Sequence, residues 1–297
     1  MVYAVRVGTV NALVSARGTR VPRLIYGTAW KKERTAGLVE RALSTGFRGI
    51  DTACQPKHYD EAGVGAGVAR ALAAGMARAE LYLQTKFTPL AGQDPRRVPY
   101  DAKASLPEQV RQSCAASLAN LQTSYLDCLV VHSPLSPFER TLQVWRELEA
   151  LVDSGVVREL GISNCYDLAQ LEALAAAARV KPLVVQNRFY AETDYDRSIR
   201  VFCGERGMLY QSFWTLSANP AILAHAKVRA LAQRYAVTPA QLFFRSLTQI
   251  GIVPLIGTTS ELHMRQDLAI FEFELAPADL RELVAQFGDT RPPAPLK

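Results

Sequence analysis

Short apolar runs rich in β-branched residues alternate along the chain with longer stretches whose apolar residues recur every three or four positions. The short runs are typical of buried strands, and the longer stretches are typical of amphipathic helices. Eight runs are predicted to be strands: RLIYGT, FRGIDT, LYLQTK, YLDCLVVH, VRELGIS, PLVVQN, MLYQSF and GIVPLIG. Eight strands that alternate with helices predict an α/β fold, a parallel (β/α)8 TIM barrel rather than an open sheet.

Three further segments lie outside the eight strand–helix units. The opening VYAVRVGTVNALVSARGTRVP alternates apolar and polar residues around a glycine turn, which predicts an N-terminal β-hairpin that plugs the lower mouth of the barrel. AILAHAKVRALAQRYAV predicts an extra helix after strand seven, and APADLRELVAQFG predicts another at the C-terminus. Because no low-complexity linker interrupts the pattern, residues 1–297 are predicted to form a single barrel domain.

Composition and charge narrow the function classes. The chain is 49% hydrophobic and 21% charged, has no apolar run long enough to span a membrane, and does not begin like a signal peptide. We therefore expect a cytoplasmic protein without membrane contacts, a monomer or weak oligomer. The net charge of +6 is scattered rather than clustered, which argues against a nucleic-acid partner and is compatible with a phosphorylated cofactor. The five cysteines lack CxxC spacing and the four histidines are dispersed, so no metal site is expected.

Polar residues gather where the predicted strands end. In a barrel of this kind the working residues lie at the C-terminal ends of the strands, where the βα loops converge. Those ends carry Thr28, Trp30, Asp51, Lys86, His132, Ser163, Asn164, Gln186, Asn187, Phe213, Gly257, Thr258 and Thr259. So many polar groups at one mouth of the barrel indicate a functional site rather than residues that only stabilise the fold.

Asp51, Lys86 and His132 each have a structural interpretation beside the functional one. Asp51 could cap a helix, Lys86 could be a solvated rim residue, and His132 could be a hydrogen-bonded core histidine. Lys86, however, closes the apolar run LYLQT, where a buried amine needs a counter-ion, and Asp51 would supply it. A buried cation beside a phenol lowers the pKa of a tyrosine from ~10 and so makes it a usable general acid. Tyr59, just beyond Asp51, is predicted to complete the group.

Two segments are candidates for binding a phosphate group. GVGAGVARALAAG resembles a dinucleotide-binding glycine loop, but it lacks the third glycine and follows HYDEA instead of a strand, so we set it aside. LIGTTSELHMRQDL is favoured, because its Gly-Thr-Thr turn leads into a helix N-terminus after strand eight. Backbone N–H groups and the helix dipole at that place suit an anion.

Together these residues resemble the aldo-keto reductase superfamily over nearly the whole chain. GFRGIDTA with the following EAGVG looks like its strand-two signature, and LYLQTKF is similar to its catalytic-lysine strand. SLANLQTSYLDCLVVHSP looks like the stretch that ends in its histidine, and VWRELEALVDSGVVRELGISN is similar to its cofactor-amide segment. The order and spacing of these four segments make the resemblance specific.

The resemblance implies an NADP(H)-dependent oxidoreductase that passes a hydride from the nicotinamide to an aldehyde or ketone. It implies that Tyr59 donates the proton, that Lys86 and Asp51 assist it, and that His132 orients the carbonyl oxygen. It also implies that Trp30, Tyr59 and His132 contact the substrate, although Trp30 could instead be a buried core residue. Tyr100 and Trp214 suggest that the cavity is partly aromatic. The positions implied for the cofactor are Gly27, Thr28, Asp51, Ser163, Asn164, Gln186, Phe213, Trp214, Leu216, Gly257, Thr258, Thr259, His263, Gln266 and Asp267.

The sequence departs from the family pattern at three places. Tyr59 follows Asp51 by eight residues, a longer spacing than the family's, and the adjacent His58 could take its place. Gly257 and His263 stand where many members carry the Lys and Arg that bind a 2′-phosphate, so NADPH is expected first and NADH remains possible. Gln266 and Asp267 replace the common Glu and Asn on the adenine side.

Two other functions are compatible with the sequence. A barrel lyase or aldolase would use Lys86 as a Schiff-base amine. A cofactor-binding regulatory subunit would bind NADPH with little turnover, as the superfamily's channel-associated members suggest. Neither the substrate nor the partner can be named from the sequence beyond a small-molecule carbonyl compound.

Overall fold

Eleven strands form two sheets in the structure, a computed structural model that describes residues 6–7 and 12–288. The first three, β1 (Arg6–Val7), β2 (Ala12–Val14) and β3 (Arg20–Pro22), form an antiparallel sheet. The other eight are parallel and close into a barrel. They are β4 (Ile25–Gly27), β5 (Gly49–Asp51), β6 (Tyr82–Phe87), β7 (Leu126–Val131), β8 (Val157–Ser163), β9 (Val184–Arg188), β10 (Leu209–Phe213) and β11 (Val253–Ile256).

Helices follow the barrel strands in the predicted order. They are α1 (Thr35–Thr45), α2 (Glu61–Ala73), α3 (Leu106–Leu121), α4 (Phe138–Asp153), α5 (Leu168–Ala177), α6 (Arg197–Arg206), α7 (Pro220–Ala224), α8 (Ala226–Arg234), α9 (Pro239–Gln249), α10 (Glu261–Leu268) and α11 (Pro277–Val284). Two of them, α7 and α8, precede α9 after the seventh barrel strand, and α11 follows the eighth unit. The predicted (β/α)8 barrel, its extra helices and its N-terminal hairpin are confirmed.

The hairpin of β2 and β3 closes the N-terminal end of the barrel. Leu13 and Val21 are fully buried and pack against the barrel interior with Ile25 and Tyr82. Apolar side chains thus fill this end of the barrel, and the opposite end is left for polar chemistry. The sharp turn between the two strands uses Gly18 at φ +85°, a conformation that favours glycine.

The glycine-rich segment GVGAGV lies inside α2, where its glycines allow close helix packing. A Cβ added to Gly65 would overlap the backbone oxygen of Asn120 at the end of α3, and one added to Gly67 would lie 2.6 Å from the backbone oxygen of Ala36 in α1. These glycines therefore serve packing between helices, in agreement with setting the segment aside as a nucleotide-binding loop.

Candidate active site

The C-terminal ends of the barrel strands surround a cavity of about 750 Å³. Most residues predicted for the site line its wall: Gly27, Trp30, Asp51, Tyr59, His132, Ser163, Asn164, Gln186, Phe213, Trp214, Leu216, Gly257, Thr258 and Asp267. Lys86 is buried behind this wall, and Thr28 also lies behind it, where its hydroxyl donates to the backbone oxygen of Asp51 at 2.9 Å. Thr259, His263 and Gln266 are not part of the wall.

Asp51 and Lys86 form a buried ion pair at the floor of the cavity. Lys86 Nζ lies 2.7 and 2.6 Å from the two carboxylate oxygens of Asp51 and donates to the backbone oxygen of Thr52 at 2.8 Å. The side-chain amides of Gln84 and Gln186 donate to Asp51 Oδ1 at 2.7 and 2.9 Å. Because both charges are buried and their polar atoms have partners, Asp51 is no helix cap and Lys86 is no solvated rim residue.

Tyr59 is positioned by the loop between β5 and α2. Asp60 caps α2 by accepting a hydrogen bond from the backbone nitrogen of Gly63 at 2.9 Å, and this anchors the residue before it. The backbone nitrogen of Tyr59 donates to the backbone oxygen of Gln55 at 3.1 Å. Its ring then lies over Lys86, whose Nζ is 5.3 Å from the ring centroid. The longer spacing after Asp51 therefore still brings Tyr59 to the ion pair.

The predicted lowering of the tyrosine pKa is wrong for this arrangement. Burial raises the pKa of Tyr59 well above its ordinary value, and the nearby carboxylate of Asp51 raises it further. The ammonium of Lys86 hydrogen-bonds to Asp51 and not to the phenol, so in this arrangement it does not offset the effect of burial on Tyr59. Tyr59 is consequently a protonated phenol, with a proton that it can donate.

His132 faces the same part of the cavity as a neutral imidazole. Its Nδ1 lies 2.6 Å from the hydroxyl oxygen of Thr88, and its ring centroid lies 6.1 Å from that of Tyr59. Burial, and then the charge of Lys86, lowers the pKa of His132 to about 3. Its Nε2 has no partner among the described residues and is left for a ligand.

Amide groups from β8 and β9 stand beside this cluster. Asn164 adopts φ +52°, and its Nδ2 donates to the backbone oxygen of His132 at 2.8 Å. The Ser163 hydroxyl donates to the backbone oxygen of Gln186 at 2.7 Å. Phe213, at the end of β10, adds a partly buried aromatic ring to the wall. An aromatic face next to carboxamide groups is an arrangement suited to a planar amide ligand.

The turn after β11 forms the other end of the cavity. Thr258 is held by its backbone oxygen, which accepts from the Tyr26 hydroxyl at 2.9 Å, and Ser260 caps α10. Lys31, in the loop after β4, lines the same wall and donates to the backbone oxygen of Gly257. We name residues 257–260 the strand-eight turn. Lys31 was missed by the sequence reasoning, although it directly follows Trp30.

The residues of the strand-eight turn and of α10 differ in their access to the cavity. Asp267 is buried and lines the wall, and burial raises its pKa to about 7. Thr259 and His263 are exposed, and Gln266 is half-buried with its backbone oxygen bound to Gln241. The structure thus brings Gly257, Thr258 and Asp267 to the cavity and leaves the other three predicted residues outside its wall.

The aromatic residues near the mouth divide into two groups. Trp30 is 58% exposed and stacks on His58 with ring centroids 3.9 Å apart, which excludes the buried-core interpretation of Trp30. Trp214 is also exposed at the rim. Tyr100, in contrast, is buried outside the cavity wall with its hydroxyl bound to the backbone oxygen of Thr88, so the suggestion that it shapes the cavity is wrong.

Two glutamines inside the barrel were also missed. Gln84 donates to the side-chain oxygen of Gln211 at 2.8 Å across the barrel, and both amides connect to Asp51 through the network described above. A signal existed in the sequence, because Gln84 precedes Lys86 by two residues and so points to the same face of β6.

The described residues contain neither a metal-binding cluster nor a membrane-spanning helix. Between residues 12 and 288, no group of three His, Cys, Asp or Glu residues is arranged to hold a metal ion. In the same part of the chain, no helix has the length and apolar character needed to cross a membrane.

Comparison with known proteins gave matches over most of the chain. The family model described as the Aldo/keto reductase family matches residues 23–286. An uncharacterized oxidoreductase, YtbE, of Bacillus subtilis (strain 168) is 29% identical over 248 residues, which cover 83% of this chain and 81% of the relative. Aldo-keto reductase family 1 member A1 of Rattus norvegicus is 26% identical over 308 residues, which cover 93% and 89%.

The fold also matches solved structures of that family. A crystal structure of an aldo/keto reductase from Brucella melitensis superimposes with a TM-score of 0.79 and 25% identity. The match covers 93% of this chain and 99% of the solved chain. The sequence and structural comparisons therefore agree on the family and on the barrel fold.

Proposed function

The chain belongs to the aldo/keto reductase family, and on that premise we propose that it reduces an aldehyde or ketone to the alcohol with NADPH, using Tyr59 as the proton donor. Family membership supports an oxidoreductase that acts on small carbonyl compounds. Aldo-keto reductases generally use nicotinamide cofactors. The observation that carries the finer proposal is the phenol of Tyr59 above the Asp51–Lys86 pair and beside His132.

The size and the lining of the cavity support binding of a nicotinamide cofactor beside a small substrate. A volume of about 750 Å³ lies in the range of ligand pockets and exceeds what a small carbonyl compound needs. Phe213 would stack on the nicotinamide ring, and Ser163, Asn164 and Gln186 would hold its carboxamide. When bound, the reduced cofactor supplies a hydride to the carbonyl carbon.

Tyr59 would supply the proton that the carbonyl oxygen needs as it gains negative charge. Because its pKa is raised, the phenol is fully protonated at neutral pH and ready to donate. Loss of that proton leaves a phenolate, which the ammonium of Lys86 would stabilise once the two are close. Asp51 is thus a positioning residue, since it acts through Lys86.

His132 would orient the substrate by a hydrogen bond from Nε2 to the carbonyl oxygen. A neutral imidazole can donate from Nε2 only if its Nδ1 accepts, and the Thr88 hydroxyl at Nδ1 provides that donor. The pKa of about 3 keeps the imidazole neutral through the physiological range. Two donors, Tyr59 and His132, would then meet at one oxygen, which is the arrangement that stabilises a developing alkoxide.

NADPH is proposed as the preferred cofactor, and NADH is the alternative. Gly257 in the strand-eight turn and His263 in α10 do not supply the pair of permanent cations that would bind a 2′-phosphate. Lys31, bound to the backbone oxygen of Gly257, places one ammonium at this end of the cavity. With one cation instead of the Lys and Arg of many family members, we expect a weaker preference for NADPH over NADH.

The Schiff-base alternative receives no support from the surroundings of Lys86. A nucleophilic amine must be free and neutral, whereas Lys86 Nζ has three oxygen acceptors, two of them the oxygens of a carboxylate.

The proposal is tested by following the absorbance of NADPH and NADH, each mixed with the purified protein and a panel of aliphatic and aromatic aldehydes and ketones. We expect oxidation of the reduced cofactor with several aldehydes, faster with NADPH. No turnover with either cofactor would overturn the enzymatic proposal. Tight NADPH binding without turnover would favour the regulatory subunit, and trapping of substrate on Lys86 by borohydride would favour the lyase.

A further inference from the structure

Arg188 is a cation in the cavity wall that has no ionic partner among the described residues. It ends β9 and pairs with Phe213 across β9 and β10, so it stands next to the ring that would stack on the nicotinamide. Its side chain donates no hydrogen bond to any residue that the structure describes, and Nε is buried without a partner. A cation in a cavity wall with no partner among the described residues is a group that can bind an anion entering the cavity.

Two aromatic rings hold the guanidinium in place. Its central carbon lies 4.2 Å from the ring centroid of Trp214 and 5.0 Å from that of Tyr190. The backbone nitrogen of Arg188 is fixed separately, by donating to the hydroxyl of Tyr166 at 3.2 Å. Cation–π contacts use the face of a guanidinium, whereas its N–H donors point outward in its plane. The two rings therefore restrict the guanidinium, and its side-chain donors have no partner among the described residues.

The other charges of the cavity wall are already engaged or lie elsewhere. Asp51 is neutralised by Lys86, and Lys31 is bound to Gly257 at the strand-eight turn. Asp267 belongs to α10 and is not a partner of Arg188 in the structure. An anion that enters the cavity beside Phe213 would thus find Arg188 as the cation available to it.

We propose that Arg188 binds a carboxylate or comparable anionic group of the carbonyl substrate, so that acidic aldehydes and ketones are preferred substrates. The inference rests on the proposed carbonyl reduction and names the substrate class of that same site. A planar guanidinium with ordered in-plane donors binds a carboxylate through two parallel hydrogen bonds, which adds both affinity and orientation. The anionic end then sits at Arg188, and the carbonyl points towards Tyr59 and His132.

The kinetic test compares two aldehyde substrates, para-carboxybenzaldehyde and its methyl ester. The ester lacks the negative charge at the end opposite the aldehyde. For Arg188→Gln we expect kcat/KM for the acid to fall about 10- to 100-fold, mainly through KM, because a charge-assisted hydrogen bond is lost. We expect a change below about 3-fold for the ester. Arg188→Lys keeps the charge without the planar fork and should give an intermediate loss. Arg146→Gln, at an exposed arginine of α4, is the matched control and should behave as wild type.

Cofactor phosphate is the other anion that Arg188 could meet, and a separate measurement distinguishes it. The dissociation constant of NADPH is determined for wild type and Arg188→Gln by quenching of protein fluorescence. We expect little change. If NADPH binding weakens about 10-fold or more and both aldehydes lose activity equally, Arg188 serves the cofactor and the substrate proposal is overturned.

Binding of benzoate in the presence of NADP⁺, measured by calorimetry, gives an outcome that needs no turnover. We expect wild type to bind benzoate and Arg188→Gln to bind it about 10-fold more weakly, while benzyl alcohol is unaffected. Equal benzoate binding by both proteins, or none by either, would overturn the inference even if carbonyl reduction is found. Arg188-dependent benzoate binding without reduction of any aldehyde would retain the inference and refute the proposed function.

Discussion

The two ends of the cavity hold their polar groups in different ways. At the reacting end, formed by Asp51, Tyr59, Lys86 and His132, the ion pair is buried and its carboxylate accepts further hydrogen bonds from barrel glutamines. At the strand-eight turn, Gly257 is exposed and the side chains offer no fixed pair of cations. One end is determined by the barrel interior, whereas the other is determined by a surface loop and the start of α10.

This difference separates the chemistry from the choice of cofactor. A buried ion pair with complete partners tolerates little change, because removing one charge leaves the other without compensation. An exposed turn can exchange side chains at small cost in stability. We therefore expect loss of either charge of the Asp51–Lys86 pair to affect folding and turnover together, and substitutions at the strand-eight turn to affect cofactor affinity alone.

The largest effect is expected for Lys86→Met. The change leaves the carboxylate of Asp51 buried without its counter-ion, so the free energy of unfolding should fall by about 3–5 kcal/mol and carbonyl reduction should be lost. Denaturant unfolding and cofactor oxidation measure the two effects. The double variant Asp51→Asn/Lys86→Met should recover part of the stability and none of the activity. A single variant as stable as wild type would contradict the described ion pair.

A smaller loss, confined to turnover, is expected for His132→Ala. Removal of one hydrogen bond to the developing oxyanion should lower kcat/KM about 10²- to 10³-fold, with binding of NADPH unchanged. Because the pKa of His132 is about 3, its protonation state is constant between about pH 5 and 8, and wild-type kcat/KM should show no inflection from this residue there. An inflection near pH 6.5 (about the ordinary histidine value) that disappears in His132→Ala would show a charged imidazole instead.

Asp267 provides a pH dependence of stability at the other end of the cavity. Its folded pKa of about 7 lies above the unfolded value of ~3.9, so the folded state binds more protons between these values. Stability from this group is therefore present at low pH and lost as the pH rises through about 7. We expect Asp267→Asn to be more stable than wild type at pH 8 by about 1–2 kcal/mol and equal to it at pH 4, as measured by denaturant unfolding. Equal stability at both pH values would contradict the raised pKa.

The smallest effect is expected when cations are installed at the strand-eight turn. Gly257→Lys with His263→Arg should strengthen NADPH binding about 10-fold and leave NADH binding and kcat unchanged, since only the former carries a 2′-phosphate. A Cβ at Gly257 would meet the flexible end of Lys31 at 3.4 Å, so the new side chain fits. Dissociation constants from fluorescence titration test this, and Lys103→Ala, at an exposed loop residue, is the control. Equal gains for NADPH and NADH would mean that the new cations do not contact the 2′-phosphate.

The barrel and most of the cavity wall could be predicted from the sequence because strand position is encoded locally. Apolar runs identify the strands. In a closed parallel barrel, the residue that follows each run lies at the same mouth, the one formed by the C-terminal ends of the strands. Asp51, His132 and Asn164 were found in this way. The longer spacing before Tyr59 did not prevent the prediction, since a capped helix after the loop returns the chain to the same place.

Features that depend on which residues become neighbours could not be predicted. The lowered pKa expected for Tyr59 assumed that Lys86 acts directly on the phenol, whereas the ammonium hydrogen-bonds to Asp51 and burial of the phenol dominates. Tyr100 was assigned to the cavity from its place in a loop, but that loop buries it outside the wall. Arg188 gave no signal, because its surroundings depend on Trp214, which is distant in sequence and reaches the guanidinium only when the barrel has formed.

The most direct test of the central claim compares Tyr59→Phe with His58→Ala, using an aldehyde that wild type reduces with NADPH. Both side chains line the cavity next to each other, but only the phenol lies over the Asp51–Lys86 pair. We predict that Tyr59→Phe lowers kcat by about 10²- to 10⁴-fold while retaining NADPH binding, and that His58→Ala changes kcat by less than about 10-fold. Loss of turnover in His58→Ala with Tyr59→Phe still active would contradict the account and would make His58 the proton donor.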